Sequence, residues 1–154
     1  MENEKTKQSK LLFKTYLEVY LVYNNSRCPA ELFTSYLMGR PMLMAFVCEL
    51  GLKTLILQNG GRYRNIHLLN KLFDLINPET QHLIIQILDI EENEFRAMLS
   101  KNANIFIKWR YFTEDMSSCS ADTKFIENII GIMAQILLGD SYIPEITKYF
   151  QKQS

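Results

Sequence analysis

The chain has 154 residues and balances 17 basic against 17 acidic side chains, so no uniform electrostatic bias points to a partner. Hydrophobic residues make up 47% and aromatics 12%, enough for a substantial core, while 6 Gly and 4 Pro exclude a loop-rich or disordered chain. One compact domain is expected over residues 10–152, behind a flexible N-terminal tail at 1–9.

The opening "MENEKTKQSK" is polar and lacks the apolar core of a signal peptide, and no run of about eighteen apolar residues lacks a charge. A cytoplasmic protein without a membrane span is the expectation. From about Lys10 to Tyr23, "KLLFKTYLEVYLVY" spaces apolar residues by three and four, which predicts an amphipathic helix stopped by "NNSR". A second helical segment covers about Ala30 to Gln58, with Pro41 marking a break, a kink or the start of an inner half that should be central and buried.

"NGG" at Asn59 to Gly61 should end that segment through a glycine in the left-handed conformation. A short helix is predicted from His67 to Ile76, and then "NPET" offers Asn77 as N-cap with Pro78 at the first helical position. The helix it starts should end near Leu88. A long helix follows from about Glu91 to Phe112, fraying at "KNAN", and Asp122 or Ser120 should cap another through "FIENIIGIMAQILLG" before a short one after Pro144. With no alternating strand pattern, the fold class is all-α, an up-and-down antiparallel bundle of about four to five main helices plus short helices.

Three groups of residues bear on chemistry. Glu49 and Lys53 stand four apart with the acid first, so they can pair on one helix face, and their apolar neighbours predict burial and the need for a further polar partner. Arg110, in "FIKWRYFTED", suits that role because a guanidinium fork satisfies a carboxylate with two hydrogen bonds, which makes Glu49, Lys53 and Arg110 a buried polar network. The loop "GGRYRNIH" gathers Arg62, Tyr63, Arg64 and His67, with Lys71 a turn further on. His82 lies in an apolar helix with no acidic or cysteine companion at metal-ligand spacing, so a hydrogen-bonded helical histidine is expected there. Cys28, Cys48 and Cys119 lack such spacing too and are expected as reduced structural thiols, so neither a metal nor a cofactor is predicted.

"CELGLKTLIL", "GGRYRNIHLLNKLFDLI" and "FIKWRYFTED", in that order and spacing, resemble the HEPN superfamily of small bacterial and archaeal helical domains, over roughly Ala45 to Asp115. The resemblance implies a helical bundle, a homodimer formed through a helical face, and a role in RNA cleavage, toxin and antitoxin pairs or antiviral defence. An antitoxin or nucleotidyltransferase is the kind of partner protein it implies. Catalytic members of that family join an arginine to a histidine, after a gap of about four to six residues late in the fold, into a metal-independent ribonuclease site shared by two protomers.

The only such spacing in this chain is Arg62 to His67, in the loop after the second helical segment, and no histidine follows His82. The resemblance therefore implies a degenerate, non-catalytic module for RNA or a nucleotide, with Arg62, Tyr63, Arg64, Lys71 and Arg110 as binding residues. Its alternatives are a ribonuclease in which Arg62 stabilises the transition state and His67 moves protons, or a structural protein-interaction module.

Overall fold

A computed structural model of the protein describes residues 3–26, 28–104, 122–139 and 142. These fold into six α-helices without a strand: α1 Glu4–Asn25, α2 Phe33–Gln58, α3 Leu69–Asp74, α4 Pro78–Leu88, α5 Glu92–Lys101 and α6 Thr123–Leu138, with one turn of 3-10 helix at Ala30–Leu32. The all-α expectation is met across the described residues.

Helix α1 begins at Glu4 rather than near Lys10, so residues 4–9 of the expected tail are helical. Asn3 accepts the backbone N–H of Thr6 at 2.8 Å, an N-cap that apolar periodicity could not reveal among charged residues. This first turn is also fastened to α2. Thr6 is buried with its hydroxyl toward the Leu57 carbonyl, and the hydroxyls of Ser9 and Thr54 lie 2.8 Å apart. At the other end of α1, the Tyr23 hydroxyl donates to the Tyr36 carbonyl at 2.9 Å, so α1 and α2 form an antiparallel pair.

Helix α2 is the core of the molecule and runs without interruption through Pro41. A proline removes one helical N–H and crowds the preceding turn, but Pro41 is buried, and packing on both sides outweighs that local cost. From Met44 to Leu57 most residues are buried, as the apolar inner half predicted. By length and composition the run Ala30–Gln58 could cross a membrane, yet 72% of its most apolar window is covered by the other helices. At Gly51 the side chains of α1 and α6 press on α2: a Cβ there would meet Met133 Cε at 2.7 Å and Phe13 Cε2 at 3.0 Å, so a larger residue would force both to shift.

The later elements start and stop largely on the expected residues. Asn77 accepts from the Thr80 N–H at 3.1 Å and Pro78 opens α4. Asp122 accepts from the Phe125 N–H at 3.0 Å and caps α6. The fifth helix is shorter than expected on its described side. It ends at Lys101, where the Asn102 side chain donates to the Met98 carbonyl at 2.8 Å and accepts the Asp122 N–H at 2.9 Å. The rest of the predicted helix, to Phe112, and the short helix after Pro144 lie outside the described residues.

Candidate functional site

Glu49 lies deep in α2, with its side chain 4% exposed, and Lys53 one turn later donates to its Oε1 at 2.6 Å. The predicted pair is therefore present and buried. Its further partner is His67, whose Nδ1 lies 2.9 Å from the same Oε1, while Arg110 falls outside the described residues. A carboxylate only accepts, so the His67 Nδ1 is the nitrogen that donates, and the tautomer this selects puts the acceptor lone pair on Nε2. That ring is half exposed. Glu49 Oε2 is buried and has no hydrogen-bond partner among the described residues, which leaves the carboxylate with unmet acceptor capacity.

The loop that brings His67 back to Glu49 is shaped by its backbone. Gly60 adopts φ of 74°, its N–H reaches the Leu57 carbonyl, and the Gly61 N–H reaches the Ile56 carbonyl at 2.8 Å, which together form a Schellman stop. Both glycines of "NGG" are used. A Cβ on Gly61 would press on Ile56, and one on Gly60 would require a left-handed residue. Asn65, with φ of 53°, supplies the second turn that returns the chain toward α2.

Side chains alternate along this loop. Tyr63 and Ile66 pack on the core, and the Tyr63 ring has Lys53 Nζ 5.1 Å and Lys5 Nζ 5.9 Å from its centroid. Tyr63 is thus a partly buried ring with two ammonium groups beside it. Arg62 and Arg64 point outward and are exposed, as is Lys71 on α3, and none of the three makes an ion pair among the described residues. The fold unites Glu49, Lys53, Tyr63 and His67. No hydrogen bond or ion pair joins Arg62 to His67.

A second polar cluster escaped the sequence reading altogether. Glu127 of α6 accepts on Oε1 from Arg40 of α2 at 2.7 Å and from the buried Tyr20 hydroxyl of α1. Burial, and next the Glu127 carboxylate, push the Tyr20 hydroxyl well above its ordinary pKa. The Glu127 hydrogen bond likewise raises Arg40. These partners stand 107 and 87 residues from Glu127 in sequence, so no local spacing could announce them.

Other predicted groups take bland places. His82 is exposed on the outer side of α4, away from the buried Ile84 and Ile85, and has no hydrogen-bond partner among the described residues, contrary to the expected hydrogen-bonded histidine. Cys48 is wholly buried, which pushes its thiol up and makes it inert. Cys28 is a partly exposed free thiol, and Cys119 lies outside the described residues. The described residues contain no group of three or more His, Cys, Asp or Glu that could hold a metal ion. Comparison with protein-family models, with curated proteins and with solved structures found no match.

Proposed function

We propose that this is a HEPN-like module that binds single-stranded RNA or a nucleotide through the loop after α2. The observation that carries the reading is the latch between His67 and the buried Glu49. It fixes a short loop at both ends, the other end being the glycine stop, and leaves Arg62 and Arg64 exposed beside a half-exposed imidazole. An anchored loop presents cations to phosphate at a smaller entropy cost than a loose one. On this reading the helices form an up-and-down bundle acting as a cytoplasmic homodimer, in a toxin and antitoxin or defence setting, with an antitoxin or nucleotidyltransferase as partner.

Anisotropy of a labelled single-stranded RNA tests the reading. Binding should weaken as salt rises, and replacing both Arg62 and Arg64 by alanine should flatten the logarithmic salt slope by about 1 to 2. No measurable binding at low salt would leave only the structural interaction role.

The His67 geometry also favours a second reading, a metal-independent ribonuclease. A carboxylate that holds Nδ1 sets the tautomer and leaves Nε2 to accept a proton, as a general base must. In this reading Arg62 stabilises charge on the phosphate and Glu49 is a positioning residue. Purified protein with chelator should then cleave total RNA, and His67→Ala should abolish it. Cleavage that survives His67→Ala excludes this mechanism.

A further inference from the structure

The cleft between α1 and α6 is apart from the loop and is unused by the function proposed above. It encloses about 330 Å³, within the range of small-molecule sites. Leu17 and Leu21 form its wall on α1, and Glu127, Gly131 and Ala134 form the facing wall on α6. These are single helical faces, spaced by three and four.

The polar end of the cleft is built rather than incidental. Glu127 is oriented by the buried Tyr20 hydroxyl and by Arg40, and both hydrogen bonds fall on Oε1. Oε2 therefore keeps its acceptor capacity in a side chain 29% exposed. Because Arg40 already balances the carboxylate, a cation gains little there, and an anion would meet the carboxylate itself. A neutral N–H donor is the group that fits.

Gly131 carries the argument further. Glycine in the middle of a helix is unfavourable, and usually a close contact or a left-handed backbone explains it. Neither applies. A Cβ at Gly131 would meet nothing within 4 Å, and its φ lies outside the positive range. Gly131 lines the cleft and is exposed, and the place a side chain would take on the α6 wall is open space.

We infer that the α1–α6 cleft is a binding site for a small neutral ligand with an apolar ring and an N–H donor, the ring lying over Gly131 and the N–H directed at Glu127. Indole is a suitable probe, and benzothiophene has the same shape without the donor. In an NMR titration of the full chain, indole should shift the amides of Tyr20, Glu127 and Gly131, and benzothiophene should bind about tenfold more weakly for want of a hydrogen bond to the carboxylate.

Gly131→Leu should fill the cleft and abolish indole binding while leaving the melting temperature unchanged or higher. Gly131→Ala, the milder variant should Gly131→Leu misfold, should weaken binding measurably and raise the melting temperature. Indole shifts absent from these residues, equal binding of benzothiophene, or unchanged affinity in a folded Gly131 variant would each overturn the inference.

Discussion

Glu49 and Glu127 are both carboxylates on apolar helices, and each receives two hydrogen bonds on one oxygen, yet they hold different things together. Glu49 is nearly inaccessible, and its partners come from the next turn of its own helix and from a loop 18 residues on. Glu127 is 29% exposed and joins three helices that are distant in sequence. A local cluster fastens a loop to an existing core, whereas a non-local one sets how the helices lie on one another. Depth and reach should therefore separate in experiment: removing Glu49 should cost more energy, and removing Glu127 should disturb more of the fold.

The strongest test of that contrast is Glu49→Ala, which leaves the Lys53 ammonium without its carboxylate in a nearly dry site. A loss of about 3 to 5 kcal/mol in urea denaturation is expected. A loss below about 1 kcal/mol would mean that the pair is solvated and the contrast false. Next comes Glu127→Ala, expected to cost about 1 to 3 kcal/mol because water can reach the stranded Arg40, with chemical-shift changes spread over α1, α2 and α6. Changes confined to α6 would remove its bridging role.

Alkaline pH sharpens the difference further. Tyr20 has a raised pKa in the folded chain, so its neutral form is favoured by folding. Its contribution is complete below about pH 10, the ordinary tyrosine value, and is lost as pH rises toward the folded value. Stability should fall in that range, and Tyr20→Phe should fall less steeply. Cys48 acts with the same sign from about pH 8.5 upward, so the comparison is best made in a Cys48→Ala background.

The smallest effect is expected at His67. Its half-exposed ring should contribute less than about 1 kcal/mol to global stability, so His67→Ala should leave the denaturation midpoint nearly unchanged. Amide exchange across residues 62–67 should nonetheless quicken, because the latch is gone. Unaltered exchange there would show that the glycine stop and the Tyr63 packing suffice to hold the loop.

What could be read in the sequence follows the same division between local and non-local. The Asn77 and Asp122 caps, the "NGG" stop and the Glu49–Lys53 pair are all decided within five residues, and each lies where its spacing placed it. The start of α1 was missed although it is also local, because the cap at Asn3 sits among charged residues that carry no apolar rhythm. His67 was noticed for its distance from Arg62, but its actual partner depends on the left-handed turns at Gly60 and Asn65, which set where the loop returns. Glu127 gave no signal at all. Only the packing of α1, α2 and α6 brings Tyr20 and Arg40 to it.

Gly51 leaves its space on α2 to Met133 of α6 and Phe13 of α1, so the three helices interlock at one point. Glu49 sits two residues before that point and Arg40 eleven before it, on the same helix. The loop latch and the cleft carboxylate thus share one foundation, because α2 supplies both the Glu49 that holds His67 and the Arg40 that holds Glu127.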